Sequence, residues 1–141
     1  MTTLDIVQAT STEVPADLLQ LRNVTCNYGP ERGIQNVNIG VTEGSQVCLL
    51  GPSGCGKTTV LRAIAGLQSV SAGSIHIGGR EVSGRNLSLP PEQRRIGMVF
   101  QDHALFPHLT VAENVGSGLR NMDRHNRQRS VRGLLERMGL E

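Results

Sequence analysis

The octapeptide Gly51-Pro52-Ser53-Gly54-Cys55-Gly56-Lys57-Thr58 constrains this chain more than any other feature. It satisfies G-x-x-x-x-G-K-[ST] at every fixed position. It also stands between an apolar run, Gln46 to Leu50, and a segment, Lys57 to Leu67, whose Val60, Leu61, Ile64 and Ala65 share one helical face before Gly66 ends the pattern. A strand therefore has to lead into a glycine-rich turn, and the turn into a helix. In that order the backbone wraps so that its N–H groups converge, and the helix adds the positive end of its dipole to the same point, which makes a cradle for phosphate. Lys57 brings a compact ammonium for the β and γ phosphates, and the Thr58 hydroxyl is a ligand for Mg2+. The candidate site is thus Gly51, Pro52, Ser53, Gly54, Cys55, Gly56, Lys57, Thr58 and, one residue further into the helix, Thr59.

Composition sharpens the reading at one position. Of the fourteen basic residues Lys57 is the sole lysine and the rest are arginine. A narrow loop suits an ammonium better than a planar guanidinium, so a chain that otherwise uses arginine has lysine where the phosphates require it.

The segments around the loop read as an α/β chain. Leu19 to Thr25, Gln35 to Val41, Gln46 to Leu50 and Ser74 to Ile77 are short strand-like runs separated by Gly-rich breaks. Arg80 to Arg94, polar and carrying Pro90 and Pro91, reads as a surface connection, and Ile96 to Phe100 as a last short strand. Thr110-Val111-Ala112-Glu113 is a capping box that opens a helix, kept short by Gly116 and Gly118. Val131, Leu134, Leu135 and Met138 then give an amphipathic stripe closed by Gly139.

A length of 141 residues fits one domain, preceded by a loose polar tail over 1–17. No apolar run approaches the roughly 20 residues of a membrane-spanning helix, and the tail resembles neither a secretory signal nor a transit peptide. Cys26, Cys48 and Cys55 form no CxxC pair and read as free thiols in a reducing compartment. Cys55, beside Lys57 and a helix start, reads either as a reactive thiol or as a small loop residue. The net charge of +2 argues for no nucleic-acid partner. The run Arg120, Arg124, Arg127, Arg129 and Arg132 lacks interleaved aromatics and reads as a solvated helix face. His103 and His108 lack acidic or Cys partners and do not read as a metal site.

The strings LGPSGCGKTTVLRAIAGL and PPEQRRIGMVFQDHALFPHLTVAENV resemble the ATP-binding subunits of ABC importers, particularly those for ferric iron, polyamines and similar small solutes, and the resemblance runs from about Leu18 to Glu141. It implies an incomplete P-loop fold of the ABC ATPase type: an antiparallel β subdomain and P-loop core to about residue 101, then the Q-loop and the start of the helical subdomain over 101–141. The implied cofactors are ATP and Mg2+. Gln101 would be the Q-loop glutamine, touching Mg2+ and the attacking water, and Tyr28 the aromatic that stacks on adenine, although a lone aromatic beside a glycine also suits simple packing. The implied partners are a transmembrane permease, met through Leu105 to His108, and a second ATPase subunit in a homodimer. The implied location is cytoplasmic, peripheral at the inner face of the membrane.

Within these residues there is no LSGGQ-like signature, the nearest string being Val82 to Asn86, and no apolar strand ending in Asp-Glu. The resemblance accordingly implies nucleotide binding without a catalytic carboxylate, and leaves the edges of the P-loop strand without family neighbours. A non-catalytic nucleotide-binding or interaction module stays open, as does another P-loop enzyme such as a small-molecule kinase. A GTPase does not: its N-K-x-D motif needs a lysine other than Lys57.

Overall fold

Eleven consecutive residues, Asp17–Asn27, form the longest strand of the computed structural model and the spine of its main sheet. Residues 5–8, 17–27, 29, 33–102 and 105–140 are described, and they fall into two compact units, Met1–Met98 and Val99–Glu141.

In the first unit the strands are β1 (Asp5–Gln8), β2 (Asp17–Asn27), β3 (Gly33–Thr42), β4 (Val47–Leu50), β5 (Ala72–Ile77), β6 (Arg80–Gly84) and β7 (Leu87–Ser88). Five of them make an antiparallel sheet in the order β3-β2-β5-β6-β7, while β4 pairs antiparallel with β1, Ile6 opposite Leu49. Simple alternation along β2 would carry Leu19 and Leu21 inward and then turn Val24 out. A register shift between Leu21 and Val24 resets the phase, so Leu21, Val24 and Cys26 are all buried. Asn23 takes the extra position at φ 51, and its N–H donates to Oδ1 of Asn38 on β3 at 2.9 Å.

Helix α1 (Lys57–Ala65) lays Val60 and Ala63, both fully buried, onto Leu21, Val24, Cys26, Ile34, Ile39, Ile75 and Val82. Its buried face differs in part from the one read from spacing: Val60 and Ala65 are buried and Ile64 partly so, but Leu61 is 49% exposed and Ala63 takes the inward position instead. Gly66 at φ 80 ends it, Leu67 N–H returning to Arg62 O at 2.8 Å.

Three expectations change in this unit. The loose tail over 1–17 is interrupted by β1, which supplies backbone partners to one edge of β4. The connection over Arg80 to Arg94 is largely structured: β6 and β7 extend the sheet and Pro91–Gln93 make a 3-10 turn. Ile96 to Phe100 is no strand, because an apolar run becomes one only beside an edge that offers N–H and C=O groups, and none among the described residues pairs with it. Val99 is left 97% exposed.

The second unit contains α2 (Val111–Val115), a 3-10 turn over Gly116–Leu119, and α3 (Arg124–Arg137). The capping box is complete. Thr110 Oγ1 accepts from Glu113 N–H at 3.3 Å, and Glu113 Oε2 accepts from Thr110 N–H at 2.8 Å. Asp123 caps α3 in the same way, accepting from Asn126 N–H at 3.0 Å. Of the α3 stripe Val131 is buried and Leu134 and Leu135 partly so, while Met138, the C-cap, is exposed.

Thr110→Ala should cost about 1 kcal/mol, a usual cap value, read as faster amide exchange over Val111–Val115; unchanged exchange would show the cap idle. The Glu113 carboxyl sits below its ordinary range, chiefly because of the Thr110 N–H and then the Thr110 hydroxyl. A depressed carboxylate contributes above its ordinary range and loses that contribution as pH falls through its folded value, so the start of α2 should fray in acid.

Candidate functional site: the phosphate loop

β4 delivers the chain at Leu50 and α1 takes it up at Lys57; the six residues between, Gly51 to Gly56, form the loop. The turn depends on backbone that side chains resist: Gly54 takes φ 83 and Gly56, the N-cap of α1, φ 101. At Gly56 a second constraint applies. A Cβ there would collide with Cγ2 of Ile34, a buried β3 residue with no functional signature in the sequence. Gly56→Ala therefore combines a left-handed backbone with a clash and should destabilise the chain by about 1–3 kcal/mol; a thermal melt within error of wild type would show the loop to be plastic.

Because Gly56 has no side chain, the first-turn N–H groups of α1 receive no side-chain cap, and the first turn holds no acidic residue. A helix start leaves its first N–H groups outside the intrahelical ladder, next to the loop that precedes it. Nothing lies within 4 Å of the space a Gly54 Cβ would occupy, and Pro52 and Ser53 are exposed. Lys57 folds back across the loop, its Nζ donating to Gly51 O at 2.7 Å, to Pro52 O at 2.8 Å and to Cys55 Sγ at 3.5 Å. A helix start with no side-chain cap, an ammonium across the loop and no acidic residue in the first turn suit an anion. The same observations test the fit of a nucleotide's phosphates, and the residues fit.

For Mg2+ the chain offers the exposed Thr58 on the first turn of α1. Among the described residues no three of His, Cys, Asp and Glu gather into a metal site. That suits a cation held mainly by phosphate oxygens and water.

The other candidates belong to the second unit or fall outside the described residues. Gln101 is exposed in the second unit. Leu105, Phe106, Pro107 and His108 are exposed there too, the His108 ring standing edge-on to Phe106 with centroids 6.1 Å apart. Asn114 secures this loop: its Oδ1 accepts from Phe106 N–H at 2.8 Å, and its Nδ2 donates to Phe106 O and Leu109 O. Tyr28 and His103 lie outside the described residues. The thiols are free, and burial raises the Cys26 pKa.

Pattern reading missed Arg94, placed on a surface connection but only 3% exposed. Its Nε donates to Leu89 O at 2.8 Å and its Nη1 to Ala63 O at 2.8 Å and Ile64 O at 3.0 Å, at the C-terminal end of α1. Burial lowers its pKa. Nothing in the sequence separates it from Arg95, which is exposed.

A strand, a phosphate loop and a helix packed on an antiparallel β subdomain define a P-loop nucleotide-site architecture. Residues 34–141 match the ABC transporter family, and the chain belongs to that family. It is 50% identical over 104 residues to the Fe(3+) ions import ATP-binding protein FbpC of Escherichia coli (strain K12), covering 74% of this chain and 29% of that protein. It is 46% identical over 103 residues to the spermidine/putrescine import ATP-binding protein PotA of Pasteurella multocida (strain Pm70), covering 73% of this chain and 27% of that protein. The chain thus spans under a third of the length of these curated relatives. It also resembles the ATP-binding cassette MJ0796, solved as a dimer in a post-hydrolysis state with ADP and Pi, at a TM-score of 0.68 and 31% identity, covering 87% of this chain and 58% of that one. No helix among the described residues is long and apolar enough to cross a membrane.

Proposed function

We propose that this chain is the nucleotide-binding portion of the ATP-binding subunit of an ABC importer, holding ATP with Mg2+ at Gly51 to Thr59. The observation that carries the reading is the uncapped N-terminus of α1 behind a left-handed Gly56, with the Lys57 ammonium laid across the same loop. Family membership supplies ATP as the ligand class, and the relatives' names supply import.

Bound ATP supplies a phosphoanhydride whose terminal phosphoryl group is the one transferred. The chain's own residues hold it. First-turn N–H groups of α1 donate to phosphate oxygens, Lys57 exchanges its carbonyl partners for them, and Thr58 Oγ1 offers a ligand to Mg2+. Gln101 completes the Mg2+ and water contacts in the intact subunit, and Tyr28 stacks on adenine. Exposed Leu105 and Phe106 suit a permease surface, and a second ATPase subunit faces the nucleotide. Such a subunit works at the inner face of a membrane without entering it.

The transported solute is not written in this segment. Relatives named for iron and for spermidine/putrescine match it at 50% and 46% identity, so what they share is the motor rather than the cargo. Titration of the chain with ATP, with and without Mg2+, tests the proposal. Saturation at one nucleotide per chain is expected, tighter with Mg2+; no saturable binding would overturn it.

A further inference from the structure

Arg94 is a buried cation with no carboxylate bonded to it among the described residues. Burying a guanidinium is costly unless its donors are met, and here three carbonyl oxygens from two separate stretches of chain accept from Nε and Nη1. Two belong to the last turn of α1; the third, Leu89 O, belongs to the segment that runs through Pro91–Gln93 to Met98. Gly66 completes the seat. A Cβ at that position would stand 2.6 Å from Arg94 Nε and 2.9 Å from Cζ, so the helix ends on the residue that leaves room for the guanidinium plane.

We propose that Arg94 is a positioning residue that couples the phosphate-loop helix to the segment 95–98, so that anion binding at one end of α1 and ordering of that segment are linked. The proposal rests on the nucleotide site argued above. Two routes would carry such a link, and their magnitudes decide between them. The dipole effect of a charge at a helix end fades within the first or last turn, whereas α1 is about 13 Å long at 1.5 Å per residue. Electrostatics alone does not span it.

A packed helix moves as a body, and Val60 and Ala63, fully buried, give it little freedom to deform. A small tilt imposed at Gly56 to Thr59 therefore appears at Ala63 and Ile64, where Arg94 transfers it to the chain that continues, three residues past Met98, to Gln101. By linkage the reverse also holds: fixing the segment favours the bound pose of the loop.

A residue that only stabilised the fold would leave this link intact whenever the chain folds, so the test reads the link itself. Amide hydrogen exchange is followed on the 141-residue chain with and without saturating ATP and Mg2+. In wild type, nucleotide should slow exchange at Ser53 to Thr58 and also, by about fivefold or more, at Ile96 to Met98. In Arg94→Met the loop should stay protected by nucleotide while the slowing at Ile96 to Met98 falls below about twofold.

Arg94→Lys is the companion variant. It keeps a charge at the helix end, but a single ammonium cannot span Leu89 O and the α1 carbonyls as the fork does, so it should lose the link as well. It carries the test if Arg94→Met fails to fold. Absence of nucleotide binding in wild type would overturn the proposed function and this link together. Binding without slowing at Ile96 to Met98, or slowing that survives in either folded variant, would overturn the link alone.

Discussion

Lys57→Ala should weaken ATP binding by about two to four orders of magnitude, because charged hydrogen bonds contribute about 1.5–3 kcal/mol each and each 1.4 kcal/mol is a tenfold change. Two such bonds to phosphate oxygens account for the loss. The variant also removes the tie between Nζ and the carbonyls of Gly51 and Pro52, so the loop itself should loosen. Lys57→Arg separates the two effects. It keeps the charge, but a planar fork does not fit where an ammonium folds back onto its own loop, so affinity should fall while folding is retained. Titration calorimetry on the three proteins makes the comparison, and equal affinities would move the site elsewhere.

The second large effect concerns turnover. This chain should bind ATP yet release phosphate no faster than Lys57→Ala, at least about four orders of magnitude below the 1–100 per second typical of kinases. No Asp or Glu occurs between Glu43 and Glu81, the stretch that contains the loop and its helix, and no apolar strand of the chain ends in Asp-Glu. Without a carboxylate to orient water, and without an opposing clamp on the terminal phosphate, the loop holds ground state and transition state almost alike. Uniform binding of that kind does not lower the barrier. A phosphate-release assay decides it. Lys57-dependent turnover within the kinase range would require a carboxylate acting from a position not foreseen.

What the sequence revealed, and what it hid, follows from how local each signal is. The loop, α1 and the Thr110 box are short-range devices, encoded within eight or nine residues, and all three form where the sequence puts them, although the inward face of α1 holds Ala63 rather than Leu61. β2, β3 and β5 were legible from apolar runs between breaks. β6 was not: Arg80–Gly84 has Val82 as its only large apolar residue, and it is a strand because β5 lies beside it. Ile96 to Phe100 failed in the opposite sense, apolar enough to pair but lacking a partner. Arg94 and Arg95 show the limit most plainly. They are identical neighbours, one sealed under a helix end by the carbonyls of Leu89, Ala63 and Ile64 and the room left at Gly66, the other exposed, and that difference is set by three-dimensional placement alone.

The resting place of Lys57 has a consequence for what the loop admits. Its ammonium is held by two neutral carbonyls and the Cys55 sulfur, and the carbonyls cancel none of its charge. The helix end behind it adds positive potential, and the first turn of α1 holds no acidic residue to offset either. Before any base is recognised, then, the loop acts as a filter on charge. A nucleoside lacking phosphates would have to leave the lysine where it rests and would gain nothing from it. Each added phosphate brings oxygens that compete with the two carbonyls and the sulfur for the same three protons, so affinity should climb with the number of phosphates and depend only weakly on the sugar.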